Sequence, residues 1–342
     1  MKSFLKKLYR KIAFPKEQEP IVDRSVDFNK IQVNLIRSKG ELNKDKIFYV
    51  IQRNPGKGFF SNVAFVTNHI KVALDNGFIP IVDMENFVTW YNENNKILKT
   101  NNAWEYYFEQ ISNFSLKDVY NSKNIILTNR NFYRSSGFLD SINEDKELKN
   151  IFQKYILIKK NKLKVIHYLR KKLFEKKKIL GVHFRGTGYK IGRQPHPATI
   201  KQMVNRINKI LSKENYDKIF LVTEDLNNFK AIIAEFKDKV IYLNNSVREN
   251  NSNTAFDTYP RLNHRYKLGR DILIEACLLS YCDGYLDIRN NVREAAIAFN
   301  LNPNQKRYFI DNGHNSAYPV IGKYIWYIKS FLPKMLGGFD QK

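Results

Sequence analysis

The chain has 342 residues, 43% hydrophobic and 14% aromatic, too apolar for a disordered protein and long enough for two domains. Its 58 Lys and Arg against 33 Asp and Glu give a formal charge of +25, which fits a nucleic-acid partner, an anionic membrane surface or the incidental lysine of an AT-rich genome, and does not bear on fold. No apolar run approaches the ~18 residues of a membrane span.

Residues 1–14 lack the continuous apolar core of a signal peptide. Phe4, Leu5, Leu8 and Ile12 fall at helical spacing with basic residues opposite. That pattern suits an anionic membrane interface, or a solvated basic helix. A polar break from Pro15 to Pro20 closes this segment, 1–20. The run from Lys46 to Ile51 reads as a buried strand entering the turn-rich loop from Gln52 to Gly58. A helix follows over 61–74, with Val63, Val66, Ile70 and Leu74 along one side and Gly77 as its stop. With the next strand, 78–83, this makes a strand–helix–strand unit, the beginning of a Rossmann-like layer. Residues 102–111 read as an aromatic helix and 124–128 as a strand. A basic helical bridge over 150–178 then leads to a second alternation.

That second half opens with the strand 179–184. It continues through helix 197–211, strand 218–223, helix 226–236, strand 239–243, a polar loop over 244–264, helix 268–280 and strand 284–288. An aromatic helix over 320–332 is expected to pack back across the domain junction. Cys277 and Cys282 have no His or Cys at zinc-ligand spacing and read as small buried thiols of a reducing compartment. The expected class is α/β, divided into the basic segment 1–20, an N-terminal Rossmann-like domain 21–165, a C-terminal one 166–320, and the C-terminal helix 321–342.

Three segments carry the chemistry. His183-Phe184-Arg185-Gly186-Thr187-Gly188 ends the first strand of the second half. A permanent cation and a glycine-rich turn at the carboxyl end of a strand suit an anionic ligand, a diphosphate above all, because the guanidinium fork donates two parallel hydrogen bonds. The same arginine could instead pair a surface carboxylate. Glu275 sits inside an otherwise apolar helix, where an ionised carboxylate needs a partner: the N–H groups of a purine, or a Lys or Arg of the chain. Asn290 and Asn291 stand where a strand ends and a helix begins, a position for phosphate or for ordinary capping.

In order and spacing over 179–300 these segments resemble the fucosyltransferase superfamily that includes α1,6-fucosyltransferases, nodulation fucosyltransferases and protein O-fucosyltransferases. The His183-Phe184-Arg185 strand end, Thr223-Glu224-Asp225, Glu275 before Leu278-Leu279-Ser280, and Asn290-Asn291 are similar to the family's motifs. Gly58-Phe59-Phe60-Ser61-Asn62 looks like its first glycine/asparagine loop. The resemblance implies a GT-B fold, two Rossmann-like domains facing a cleft, and inverting transfer from GDP-fucose to a hydroxyl of a surface glycan or lipid-linked oligosaccharide in a bacterial polysaccharide pathway. It implies no metal and no other cofactor.

Residue by residue, Arg185 would grip the β-phosphate and stabilise departing GDP. Gly58, Asn62, His183, Gly186 and Thr187 would line the donor site. Glu275 would accept from guanine, and Asn290 and Asn291 would donate to phosphate. Gly188 stands where relatives often carry Asp, and Arg193 where some have a candidate base. The acceptor base is therefore sought among Asp83, Glu85 and His196, the first two at the end of a first-domain strand. The implied protein is cytoplasmic, with a peripheral contact to an anionic membrane and no nucleic-acid partner. The alternatives are another nucleotide sugar, a basic nucleic-acid-binding protein, and a non-catalytic nucleotide-sugar-binding relative.

Overall fold

A computed structural model describes residues 36–37, 40–53, 58–128, 143–186, 190, 195–249, 261–316 and 319–341; the basic segment 1–20 lies outside them. The first half contains β1 (Ile36–Arg37), β2 (Leu42–Ile51), α1 (Phe59–Asp75), β3 (Ile79–Val82), α2 (Leu116–Tyr120) and β4 (Ser122–Leu127). Two helices follow, α3 (Lys146–Tyr155) and α4 (Lys160–Phe174). The second half runs β5 (Ile179–His183), α5 (Ile200–Leu211), β6 (Lys218–Val222), α6 (Leu226–Phe236), β7 (Val240–Ile241), α7 (His264–Tyr281), β8 (Gly284–Asp287), α8 (Asn291–Phe299), β9 (Lys306–Phe309) and α9 (Pro319–Phe331).

The strands form two sheets among the described residues. The four-stranded sheet has the order β1-β4-β2-β3, with β2 parallel to β3 and β4, and β1 antiparallel to β4. The five-stranded sheet is parallel throughout, in the order β7-β6-β5-β8-β9. Parallel strands covered on both faces read as unbroken apolar runs, and every residue of β5 is buried. The α/β alternation expected from the sequence is present in both halves. The chain builds β6 and β7 to one side of β5 and then sets β8 on the other side. The order therefore reverses between β5 and β8, and a crevice opens beyond their carboxyl ends.

One apolar cluster joins the two sheets. It runs from Tyr49, Ile51 and Val66 of the first unit to Ile179, Phe220 and the α7 residues Leu273, Cys277 and Leu278 of the second. The burial centres on α1 and α7: α1 is buried from Phe59 to Ile70, and α7 from Leu273 to Ser280. Gly269 of α7 permits the contact, because a Cβ there would lie 2.5 Å from the Tyr107 hydroxyl. Tyr266, also on α7, ties the units together. Its N–H donates to Glu93 Oε1 at 2.9 Å, its carbonyl accepts from Tyr107 Oη at 3.0 Å, and its phenol oxygen accepts from Lys162 of α4 at 2.6 Å. Both cysteines are buried and unbridged.

Three expectations change in detail. The aromatic stretch over 102–111 is a short 3-10 turn, Ala103–Tyr106, rather than a helix. Ala103, Trp104, Tyr106, Tyr107 and Phe108 are all buried, and one helix face cannot bury so many neighbours. The expected boundary between 165 and 166 falls within the unbroken helix α4. Among the described residues the C-terminal helix is anchored on the second unit: Trp326 Nε1 donates to Pro197 O at 2.8 Å, and Gln202 of α5 donates to Asp340 O at 2.7 Å. Its inward face carries one large indole, whose N–H requires a carbonyl, and the loop before α5 supplies it.

Asp83, just past β3, is fully buried. Its Oδ1 accepts the N–H groups of Glu85 and Asn86, at 3.0 and 2.9 Å. Its Oδ2 accepts from Asn86 Nδ2 and the Tyr120 hydroxyl, at 2.9 and 2.6 Å. Asp83→Ala removes the acceptor shared by these four donors and is expected to destabilise the protein by about 2 kcal/mol. Urea unfolding checks this; a midpoint unchanged from wild type would remove the assigned role.

Candidate functional site

The crevice between β5 and β8 brings together much of what the sequence singled out. β5 ends in His183, and Phe184 N donates to Val222 O at 2.9 Å, so the chain leaves the sheet already held against β6. Arg185 follows, about one third exposed, with Nε 3.3 Å from Glu224 Oε1. Gly186 N donates to the same oxygen at 3.1 Å. Only glycine fits at 186, because a Cβ would lie 2.5 Å from Asn228 Nδ2 and 2.7 Å from Asp225 Oδ2. That close approach brings the Arg185 loop down onto the first turn of α6, which Asp225 caps by accepting from the N–H groups of Asn227 and Asn228. Thr187 and Gly188, like Arg193, lie outside the described residues.

His183 is buried, and its Nδ1 has no hydrogen-bond partner among the described residues. Burial, then the neighbouring Arg185 charge, pushes its pKa down to about 3, so the imidazole is neutral throughout the physiological range. A buried ring nitrogen left without a partner is costly.

Glu275 lies on α7, facing Ser246, whose hydroxyl donates to Glu275 Oε1. Burial raises its pKa to about 7; Asp271 and Glu224 push the same way, and Arg248 opposes them. Arg248 donates to the carbonyls of Ser246 and Leu243 and lies over the rings of Phe229 and Tyr242, 4.3 and 5.3 Å from their centroids. Among the described residues the partner of Glu275 is thus a serine, with an arginine acting at longer range.

On the far side of the crevice, Asn290 follows β8 and caps α8. Its Oδ1 accepts from Arg293 N at 3.0 Å, and its Nδ2 donates to Ile288 O at 2.6 Å. Both ends of this amide are committed, which is the capping role. Asn291 opens the helix, so the α8 N-terminus points its dipole toward the crevice. From the first unit, Gly58 O accepts from Ser61 N and Asn62 N at the start of α1. A Cβ at Gly58 would meet open space, so no steric demand explains that glycine. Asn62 is buried and shares a small space with Phe59 and Tyr91. Burial raises the Tyr91 phenol, and the Phe59 backbone and the Arg185 charge work against that rise.

No protein-family model matches the sequence, and no curated protein does. Solved structures to which the chain is similar include fucosyltransferase NodZ from Bradyrhizobium, at 16% identity and a TM-score of 0.47 over 74% of this chain and 93% of that one. POFUT1 in its apo form is similar at 10% identity and 0.43, over 78% of this chain and 98% of that one. A mutant of Arabidopsis thaliana FUT1 in complex with GDP is similar at 10% and 0.43, over 90% and 77%.

The three candidate bases separate. Asp83 is consumed by its four hydrogen bonds, since it must close the turn after β3. His196 is buried beneath the C-terminal segment, with its ring edge-on to Phe339 at 5.4 Å and its N–H donating to Gly313 O. Burial, then the charge of Lys329, holds its pKa at about 4. Glu85 alone of the three is exposed. Among the described residues no group of three or more His, Cys, Asp or Glu is arranged to hold a metal ion, and no helix is long and apolar enough to cross a membrane.

Sequence reasoning passed over Glu224 as the partner of Arg185, and over Ser246, Arg248 and Tyr91. Glu224 was legible as an acidic residue ending a strand adjacent to β5. Ser246 and Arg248 lie in a polar loop with no periodicity, and only the fold brings that loop to α7.

Proposed function

We propose that the protein is a GT-B glycosyltransferase that moves a sugar, fucose in the first instance, from its GDP donor to a hydroxyl of a glycan, with inversion and without a metal. The observation that carries this reading is Arg185 beside His183, whose Nδ1 has no partner among the described residues, at the crevice where the strand order reverses and opposite the N-terminus of α8. The register of Arg185, Thr223-Glu224-Asp225, Glu275 and Asn290-Asn291 along the chain supports the same assignment.

In this reading the donor diphosphate takes the place of Glu224 at the guanidinium. The acceptor hydroxyl attacks the anomeric carbon as the bond to the diphosphate breaks. Its proton passes to a carboxylate, and Glu85 is the exposed candidate. Negative charge gathers on the departing nucleotide, where Arg185 and the α8 dipole offset it. Glu275 accepts hydrogen bonds from the base once Ser246 gives way. The first sheet supplies the acceptor side and the second the donor side.

Thermal unfolding with GDP, UDP and CMP at equal concentration is the test. Stabilisation by GDP above the other two is expected, about 2.7 kcal/mol at a hundredfold excess over Kd. Stabilisation by UDP alone would sink the guanine assignment. Binding of oligonucleotides with a steep salt dependence and no nucleotide effect would replace the whole reading.

A further inference from the structure

The C-terminal helix presents an apolar surface to solvent. Tyr324, Tyr327, Ile328, Phe331, Met335 and Leu336 are all exposed, Phe331 at 87% and Met335 at 97%. Single exposed apolar side chains are ordinary, but a contiguous set marks an interaction surface. The first four are spaced three and four apart and share one face of α9, while Trp326 on the other side is buried against Pro197. Met335 and Leu336 extend the surface in the short turn Lys334–Leu336.

Cations surround it. Lys329 lies 5.8 Å over the Phe339 ring, and Lys334, exposed, pairs with Asp340 at 2.7 Å. Beside the helix runs a groove of about 620 Å³ whose walls include Trp326, Tyr327, Phe331, Lys190 and Lys201. Lys190 lies 4.7 Å over the Trp326 ring. Apolar side chains ringed by lysines, on a chain of net charge +25, match the acyl boundary and the phosphates of an anionic bilayer. A second copy fits poorly. A two-fold pairing would gather the lysines of both copies around one patch, and six side chains fall short of the ~20–30 residues a side of a stable interface.

We propose that this surface seats the protein on an anionic bilayer, with Phe331, Met335 and Leu336 entering the headgroup–acyl boundary and the flanking lysines meeting lipid phosphates.

The test is co-sedimentation of the full chain with vesicles of phosphatidylcholine and phosphatidylglycerol in equal parts, and with phosphatidylcholine alone. The wild type is expected to sediment with the mixed vesicles, and added salt to weaken the binding. A triple variant, Phe331→Ser with Met335→Ser and Leu336→Ser, should bind about tenfold less. All three side chains are exposed, so an unchanged melting temperature will show that the variant folds. No vesicle binding by the wild type, equal binding of variant and wild type, or equal binding to phosphatidylcholine alone would each overturn the proposal. So would a concentration-dependent dimer that the triple variant breaks.

Discussion

Arg185→Ala is expected to lower sugar transfer by about 10²–10³-fold and to abolish the thermal stabilisation by GDP. The guanidinium keeps its charge at every working pH, and its planar fork matches two oxygens of a diphosphate. In the structure that fork faces Glu224, 3.3 Å from Nε, at the end of the neighbouring strand. The pair is about one third exposed, so it contributes little stability, and the substitution should hardly move the melting temperature without nucleotide. Arg185→Lys retains charge without the fork and should fall between alanine and wild type. Glu224→Gln is the complementary change: it keeps an oxygen for Gly186 N–H and removes the charge that competes with the donor, so GDP should bind several-fold more tightly. If Arg185→Ala keeps the full GDP shift, the arginine is an ion-pair partner of Glu224 and nothing more.

Glu275→Gln is expected to do two opposite things. Burial raises the Glu275 pKa to about 7 from an ordinary value near 4.5. The folded state therefore holds a proton that the unfolded chain releases across that window. Stability from this group is fully present below pH 4.5, falls as pH rises toward 7, and is level above it. Glutamine does not titrate, so the variant should be more stable than wild type at pH 8, by on the order of 3 kcal/mol at most. The gap should close as pH is lowered through the window. Donor binding should move the other way, because the ionised carboxylate is the better acceptor for a purine's N–H groups. GDP affinity of the wild type should rise through pH 7, and the variant should bind GDP about tenfold or more weakly at pH 8. A melting-temperature gap that is constant with pH, or unchanged GDP affinity in the variant, would remove Glu275 from the base site.

Much of the local structure was legible because it follows from periodicity. The run Ile179–His183 is apolar and bounded by polar chain, and it is a buried strand. The apolar spacing over 61–74 lies within the helix Phe59–Asp75. The stretch over 102–111 misled because helical spacing and a continuous aromatic filling look alike when every residue is large. The candidate site was legible where one residue type has few uses, as with an arginine after a buried strand or a glutamate in an apolar helix. It was not legible where identity is ambiguous: Asp83 and His196 are ordinary base types, and only their neighbours reveal a turn clasp and a buried ring.

Alternation of buried strands with helices follows from local pattern and needed only the order of residues, since side-chain period is a property of the chain itself. The strand order β7-β6-β5-β8-β9, with its reversal beside Arg185, comes from long-range pairing. So do the bond from Ser246 to Glu275, the pair between Arg185 and Glu224, and the exposed face of α9. These depend on which surfaces meet after the apolar cluster closes, and burial energy scales with area rather than with sequence position. The residues that carry charge into the crevice were therefore visible one by one along the chain, but their partners were decided by packing.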